Sequence, residues 1–350
     1  MAASSTFRSP GLLALVALLV SGVNSPGVAQ APAWQVLENS PYVGYPHEDI
    51  SFPSPLVGWI VGSRSVYRTV DGGVSWSEQS IPGRRFRSSG FISEDVGWVG
   101  TLDPARVLFE TRDGGRNWKD ISGQITGFSV RGICAIWPID DSTVVAVGRY
   151  DGAPTFLKSV DRGRSWRATA VTEVGSLVDV VFLNGTTGFA VGGTHGVRPE
   201  SRAAVLGTTD GGETWSVRHV SSLEGEWAWK IAFPTPETGY VAVENRAFGR
   251  VLKTVDGGVT WTEIKVPENA LLQAVGFVTE EIGWVGGHLS TSVTYDGGKS
   301  WRQAEFGSGI NRIRISSDSV AHAIGTRAFV LRRPGVAPAG PDLASGRGPS

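Results

Sequence analysis

One eight-residue pattern occurs six times in the chain, and this repetition restricts the fold more than any other feature. The copies are TVDGGVSW at 69–76, TRDGGRNW at 111–118, SVDRGRSW at 159–166, TTDGGETW at 208–215, TVDGGVTW at 254–261 and TYDGGKSW at 294–301. Successive aspartates of the pattern lie 40 to 49 residues apart; they are Asp71, Asp113, Asp161, Asp210, Asp256 and Asp296. A period of this length is typical of one propeller blade.

Two further apolar runs precede each of these boxes, and the second often opens with glycine and an aromatic residue. These second runs are GWIVG at 58–62, GWVG at 97–100, VVAVG at 144–148, GFAVG at 188–192, GYVAV at 239–243 and GWVGG at 283–287. Short apolar runs separated by regular turns predict antiparallel sheet. Each unit is therefore predicted to hold four strands, a to d, with the box forming the c–d turn.

The chain is predicted to hold a seventh unit, whose strands come from both ends. Residues 310–316, 321–325 and 328–333 resemble a, b and c strands, but no d strand follows them. Trp34 stands in the box-tryptophan position without a box before it. We therefore expect an all-β fold over residues 30–333, a seven-bladed β-propeller of four-stranded antiparallel blades whose ring is closed by an N-terminal strand.

The two ends of the chain differ in composition from this region. Residues 12–20, LLALVALLV, follow Arg8 and precede small residues up to Ala29, which predicts a secretory signal peptide over 1–29. Residues 334–350 are rich in proline, glycine, alanine and serine, which predicts a disordered tail. The mature protein is expected to be exported, either periplasmic or secreted, and monomeric. The lone Cys134 is expected in the core, and a net charge of −1 argues against nucleic-acid binding.

The boxes could be either metal-binding loops or structural turns. Calcium needs several oxygen ligands along one loop, and each box offers a single carboxylate. A structural turn needs an aspartate to accept backbone N–H groups, a glycine for positive φ and a packed tryptophan. Arg162 replaces a glycine in the third box and Asn117 replaces the serine or threonine in the second, which suits a tolerant turn. No metal and no cofactor are therefore predicted.

The box is similar to the Asp-box, or bacterial neuraminidase repeat, which by itself specifies a turn rather than an activity. The longer pattern, G-W-x-V-G followed after about ten residues by T-x-D-G-G-x-[ST]-W, extends from about 34 to 333. It resembles the photosystem II stability/assembly factor family. The resemblance implies an exported seven-bladed propeller that chaperones a reaction-centre protein in the thylakoid lumen, although bacteria without photosystems carry such proteins too. The implied partner is another protein, for example a membrane-protein segment exposed to the periplasm or lumen.

A glycoside hydrolase of the sialidase type, or a carbohydrate-binding lectin using the channel mouth, remains the alternative. The sequence lacks the Arg-Ile-Pro element of sialidases, and no catalytic residue is predicted. The candidate carboxylates near inner strands are scattered over three blades: Glu48, Asp49, Asp179 and Glu226. Asp179 is expected to be a solvated channel residue. His47, His195 and His288 have no paired metal-ligand spacing.

Strand direction sorts the loops into two faces. The a–b loops of the bottom face carry only acidic charged residues: Glu94, Asp95, Asp140, Asp141, Glu237, Glu280, Glu281 and Asp318. The top face, formed by b–c and d–a loops, carries nine arginines in blades seven, one, two and three: Arg64, Arg84, Arg85, Arg87, Arg106, Arg131, Arg149, Arg312 and Arg327. These nine, called the arginine crescent, are either ordinary solvated residues or a docking surface for carboxylates and aromatic groups.

Overall fold

A computed structural model describes residues 33–267, 270–304, 306–317 and 320–332. The predicted signal peptide and tail lie outside the described residues. The described part holds seven sheets and two short 3-10 helices, Ser122–Gln124 and Arg198–Glu200. Within it, no helix is long and apolar enough to cross a membrane.

Each sheet is one blade, whose strands follow one another from the channel outwards. Blade one holds β2 (Asp49–Ser51), β3 (Gly58–Val61), β4 (Val66–Thr69) and β5 (Ser77–Glu78). Blade two holds β6 (Phe86–Phe91), β7 (Gly97–Thr101), β8 (Leu108–Thr111) and β9 (Lys119–Asp120). Blade three holds β11 (Ala135–Pro138), β12 (Val144–Gly148), β13 (Thr155–Ser159), β14 (Trp166–Ala170) and, outermost, β10 (Ile125–Gly127).

The remaining four blades follow the same order. Blade four holds β15 (Ser176–Phe182), β16 (Gly188–Gly193), β17 (Ala203–Thr208) and β18 (Ser216–Val220). Blade five holds β19 (Trp227–Ala232), β20 (Gly239–Glu244), β21 (Gly249–Thr254) and β22 (Thr262–Val266). Blade six holds β23 (Leu272–Phe277), β24 (Gly283–Gly287), β25 (Thr291–Thr294) and β26 (Arg302–Ala304). Blade seven holds β27 (Arg312–Ser317), β28 (Val320–Ile324), β29 (Ala328–Arg332) and β1 (Trp34–Val36).

The blades form a closed ring. Inner strands of successive blades contact each other in cyclic order, and the last inner strand, β27, returns to the first, β2. The N-terminal strand β1 pairs antiparallel with β29, so that Trp34 lies opposite Leu331 and Val36 opposite Phe329. The predicted seven-bladed fold with N-terminal closure is therefore confirmed.

One strand of blade three was not expected from the sequence. The connection from blade two folds back before entering the ring, and its strand β10 pairs parallel with β14 outside the predicted d strand. The side chain of Thr126 donates a 3.0 Å hydrogen bond to the carbonyl of Trp166. Gly127 adopts a φ of 90°, which turns the chain away after three residues. Blade three therefore has five strands, one of them parallel.

The Gly-aromatic start of the b strand has a packing explanation. Gly97 lies directly against the ring of Phe91, the last residue of the preceding inner strand, and a side chain added at Gly97 would overlap that ring. The aromatic residue after the glycine is buried; Trp98 is fully inaccessible to solvent. Because a blade is covered on both faces by its neighbours, the b strand is buried throughout.

The box turns are held by their own side chains. In the first box the hydroxyl of Thr69 accepts the N–H of Gly73 at 2.9 Å and donates to Asp71 at 2.7 Å. Asp71 also accepts both the N–H and the hydroxyl of Ser75. These internal donors hold the pKa of the Asp71 carboxyl below its usual range against the opposing effect of burial. The arrangement is that of a structural turn.

The substitutions in the other boxes preserve this turn. Arg162 adopts a φ of 63° where the other boxes carry a glycine with positive φ. Asn117 donates its amide to Asp113 at 2.7 Å, as the serine hydroxyl does in the first box. The tolerance that the sequence suggested at these two positions is therefore visible in the geometry.

Candidate docking face and central channel

The arginine crescent lies mainly in the loops of the top face, as its strand assignments predict. Arg64, Arg84, Arg85, Arg106 and Arg131 are exposed, and Arg149 and Arg327 are half-buried. All of these stand between strands rather than within them. The structure therefore places these seven residues in loops of the top face.

A charged group around Asp151 involves Arg149 through an ion pair and Arg85 through its charge, next to the backbone of Arg131. Arg149 donates to the carbonyl of Arg131 at 3.2 Å and forms an ion pair with Asp151. Hydrogen bonding from Arg149 lowers the pKa of the Asp151 carboxyl, and the charge of Arg85 lowers it further. Arg85 itself adopts a φ of 59°, a conformation that is rare for a residue with a side chain.

Two other crescent residues are held by neighbouring segments of chain. Arg106 donates to the carbonyl of Pro82 at 2.6 Å, in the loop that carries Arg84 and Arg85. Arg327 donates to the carbonyl of Glu38 at 3.1 Å and lies 5.5 Å from the ring centre of Tyr42. Arg106 is thus tied to the same loop as Arg85, whereas Arg327 is tied to the N-terminal segment.

Arg87 and Arg312 lie in strands rather than in loops, so the prediction that both belong to the top-face surface is wrong. Arg87 is the second residue of β6, pairs with Glu48, and lies 5.3 Å from the ring centre of Trp229. Arg312 begins β27 and is buried. Both contact groups of other blades across the central channel: Arg87 meets Trp229 of blade five, and Arg312 meets Asp49 and Asp179 of blades one and four.

The centre of the channel is filled by a network of two carboxylates and two guanidinium groups. Arg312 donates to Asp179 at 2.7 and 2.9 Å and to Asp49 at 3.2 Å. Arg314 donates to Asp49 at 3.1 and 2.8 Å. Burial alone would raise the pKa of the Asp49 carboxyl, but Arg314 and Arg312 hold it far below its usual range. The expectation that Asp179 is solvated is therefore wrong.

These carboxylates also accept backbone N–H groups at the channel-facing edges of inner strands. Asp49 of blade one accepts the N–H of Ser89 in blade two at 2.9 Å, and Asp179 of blade four accepts the N–H of Ile231 in blade five at 3.2 Å. An inner strand has no neighbour on its channel side, so its N–H groups need other acceptors. The network thus joins adjacent blades as well as opposite ones.

Aromatic side chains of blades three and five pack together near the top of the channel. The ring of Tyr150 lies 5.8 Å from that of Trp227 and 6.2 Å from that of Trp229. Trp229 is the extra residue of a β-bulge in β19, and Arg87 occupies the corresponding position of a bulge in β6. Bulges redirect side chains, and here they bring an arginine of blade two onto a tryptophan of blade five.

Lys230 follows the bulge and is only 4% exposed. Among the described residues, no side chain or carbonyl forms a hydrogen bond or an ion pair with its ammonium group. Burial lowers the pKa of Lys230 to about 7, and the nearby charge of Arg312 contributes. Sequence reasoning did not identify Lys230, because a single lysine in an apolar strand carries no motif.

The remaining candidate carboxylates are also engaged. Glu48 pairs with Arg87, and the fully buried Glu226 accepts Asn245 at 2.7 Å and Arg250 at 2.8 Å. Asp49 and Asp179 are scattered over different blades in the sequence, yet the fold brings them together. Both pair with Arg312, which lies between them. These carboxylates bind donors of the protein itself instead of forming a free pair around a sugar-sized space.

The three histidines singled out in the sequence do not form a cluster that could bind metal. His47 is buried and its Nε2 lies 2.9 Å from the carbonyl of Pro41. His195 accepts the N–H of Val197 at 3.0 Å. The described part of the chain contains no group of three histidine, cysteine, aspartate or glutamate side chains placed to hold a metal ion.

Comparison with known proteins confirms the family resemblance. The model of the family described as "Photosynthesis system II assembly factor YCF48" matches residues 28–127. The photosystem II assembly lipoprotein Ycf48 of Synechococcus sp. (strain CC9902) is 26% identical over 304 residues, covering 81% of this chain and 84% of the relative. The chloroplastic photosystem II stability/assembly factor HCF136 of Arabidopsis thaliana is 25% identical, covering 81% and 75%.

Solved structures support the fold. A structure described as YCF48 bound to D1 peptide superposes with a TM-score of 0.64 at 20% identity, covering 86% of this chain and 98% of the other. An ancestral GH74 enzyme also superposes with a TM-score of 0.64, but at 14% identity and over 46% of its length. At these identities the likeness is one of fold, and it transfers no activity.

Proposed function

We propose that this chain is an exported, non-catalytic propeller that binds a segment of another protein and acts as an assembly or stability factor. The observation that carries the proposal is the group of five exposed arginines on one face, Arg64, Arg84, Arg85, Arg106 and Arg131, beside the half-buried Arg149 that pairs with Asp151. Guanidinium groups bind carboxylates in a planar, two-pronged geometry and stack on aromatic rings. They therefore suit an acidic or aromatic segment of a partner.

The relatives support this interpretation. Two curated relatives are named as photosystem II assembly or stability factors, and a solved relative is described as bound to D1 peptide. We infer for this chain only the general role of binding a protein segment outside the cytoplasm. The propeller over residues 30–333 would be released when a signal peptide of residues 1–29 is removed. In a photosynthetic host the compartment would be the thylakoid lumen; otherwise it would be the periplasm or the exterior.

The test is a variant in which four exposed crescent residues are replaced by glutamine: Arg64, Arg85, Arg106 and Arg131. Exposed substitutions usually change the free energy of unfolding by no more than about 0.5 kcal/mol each, so the fold should persist. Tagged wild-type protein should retain a partner from a periplasmic or lumenal extract, identified by mass spectrometry. The variant should lose it, and capture by wild-type protein should weaken with salt.

A matched control removes the same positive charge elsewhere. Four other exposed arginines, Arg116, Arg164, Arg167 and Arg302, are replaced by glutamine. This control should retain the partner, because it lacks only charges outside the crescent. Equal loss in both variants would mean that net charge, rather than the crescent, governs binding. Retention by the crescent variant would mean that the working surface lies elsewhere.

The alternative function, glycoside hydrolysis or glycan binding at the channel mouth, is tested separately. Purified protein is assayed against aryl glycosides and a glycan array. Turnover that is abolished by Asp179→Asn in a folded variant would replace the proposal with a hydrolase. Saturable glycan binding without turnover would replace it with a lectin.

A further inference from the structure

The bottom face has an apolar cavity at the mouth of the central channel. It has a volume of about 340 Å³ and lies between the lower ends of the inner strands of blades three to seven. Its lining is apolar at Trp137, Val181, Leu183, Ile231, Phe233 and Ile315, and it also includes Arg312 and Arg314. Ile315 is 39% exposed, so an apolar side chain stands open at the rim. The size falls at the low end of the ~300–1,000 Å³ usual for ligand pockets, which suits one large side chain.

The loops around this mouth carry negative charge. The charged residues of the described a–b loops are all acidic: Glu94, Asp95, Asp140, Asp141, Glu237, Glu280 and Glu281. Each of them is exposed. Glu237 directly follows Pro236, which lines the cavity. Apolar lining and an acidic rim therefore stand next to each other.

Two cations near this rim, Arg162 and Lys253, donate to backbone carbonyl groups instead of pairing with the rim carboxylates. Arg162 donates to the carbonyl of Asp141 at 3.0 Å, and Lys253 donates to that of Gly297 at 2.7 Å. Two cations line the cavity itself, and both are paired inside the channel: Arg314 with Asp49, and Arg312 with Asp49 and Asp179. Glu280 accepts the hydroxyls of Thr235 and Thr238, which lower the pKa of its carboxyl. Glu237 and Glu281 are exposed and take part in no ion pair within the described residues, so their carboxylates are open to cations from outside.

We propose that the bottom mouth is a second docking site, which takes an extended peptide segment with an aromatic or aliphatic residue flanked by lysine or arginine. The central side chain would enter the cavity, where burial of apolar surface favours binding. The flanking cations would meet carboxylates such as those of Glu237 and Glu281. This site goes beyond the proposed function, because it lies on the face opposite the arginine crescent and selects the opposite charge.

The test uses acetylated and amidated five-residue peptides carrying a fluorophore, with fluorescence polarisation as the readout. Lys-Lys-Phe-Lys-Lys should bind full-length mature protein in low salt. Lys-Lys-Gly-Lys-Lys and Glu-Glu-Phe-Glu-Glu should each bind at least about tenfold more weakly. The first control lacks the side chain for the cavity, and the second has the wrong charge.

Protein variants locate the site. Ile315→Ser should weaken the lysine-flanked peptide by about tenfold, whereas Val259→Ser, on a 70% exposed residue of a box turn, should not. Glu237→Gln/Glu281→Gln should weaken binding of this peptide and make the binding less dependent on salt. Glu173→Gln/Glu224→Gln on the top face should change neither. Melting curves confirm that each variant is folded.

Three outcomes overturn the proposal. The first is that wild-type protein shows no preference for the lysine-flanked phenylalanine peptide over both controls. The second is that binding is equally affected by the bottom-face and the matched control variants. The third is binding that is lost in the crescent variant but kept in the Ile315→Ser variant, which would assign the peptide to the top face. Failure here would leave the crescent proposal standing, since its own test uses different residues.

Discussion

Arg312 of the seventh blade and Asp179 of the fourth form a two-pronged ion pair through the central channel, at 2.7 and 2.9 Å. Their side chains are 7% and 1% exposed. Asp179 also accepts a backbone N–H of blade five. A single carboxylate therefore connects three blades, two of them neighbours and one on the far side of the ring.

Breaking this pair from one side should destabilise the whole propeller. In Arg312→Met the carboxylate of Asp179 stays buried without its partner, and such losses cost about 3–5 kcal/mol. Arg312→Met/Asp179→Asn removes the unpaired charge but keeps an acceptor for Ile231, so it should recover much of the loss. Urea unfolding measures both. If Arg312→Met alone were as stable as wild type, the pair would contribute nothing to stability.

Lys230 should make the stability of the protein depend on pH in the alkaline range. Its amine binds a proton below about pH 10.5 when unfolded but only below about pH 7 when folded. Between these values the unfolded state holds more protons, so the free energy of unfolding rises with pH. Lys230→Met should therefore melt at a higher temperature than wild type near pH 7, and the difference should shrink towards about pH 10. A difference that is constant over this range would contradict the lowered pKa.

The repeating parts of the fold were predictable because each depends on a short local pattern. The box specifies a turn through contacts within eight residues, such as that between Thr69 and Asp71. The Gly-aromatic pair reflects packing against the preceding strand, as at Gly97 and Phe91. Trp34 marked the closing strand because it repeats the box tryptophan without its turn. Periodicity made each of these patterns visible.

The channel was not predictable, because its contacts join residues far apart in the sequence. Asp179 and Arg312 are 133 positions apart, and Asp49 and Arg314 are 265 apart. Whether such residues meet depends on the radius of the ring and on bulges that shift individual side chains, as at Trp229. The alternation of apolar and polar residues along a strand does not indicate where a bulge occurs. The parallel fifth strand of blade three likewise forms because a loop folds back, and no sequence pattern predicts this.

Box tryptophans should differ in their contribution to stability according to burial. Trp166 is 2% exposed and packs edge-on against Trp98 at 5.7 Å, whereas Trp215 is half-buried against Phe156. Trp166→Ala should cost about 3–5 kcal/mol through lost burial and a cavity. Trp215→Ala should cost less, because part of its ring already faces solvent. Chemical denaturation of the two variants gives the comparison, and the reverse order would count against burial as the cause.

The boxes should not respond to calcium. Asp210 accepts the N–H and the hydroxyl of Thr214 and the hydroxyl of Thr208, so its oxygens are already occupied. These hydrogen bonds hold the pKa of the Asp210 carboxyl far below its usual range without a metal ion. Melting temperatures in millimolar calcium and in chelator should agree within about 1 °C. A large upward shift with calcium would mean that the turns bind the ion.

The closing strand should stabilise the entire ring, although it holds only a few residues. Deleting residues 30–40 removes β1, its pairing with β29, and the stacking of Trp34 on Phe306 at 4.7 Å. The edge of β29 would then be unpaired, which also favours aggregation. We expect the melting temperature to fall by more than about 5 °C. Deleting 336–350 should leave it unchanged, because no described strand uses that segment. If the first truncation melted like the full mature protein, the N-terminal strand would not be what holds the ring closed.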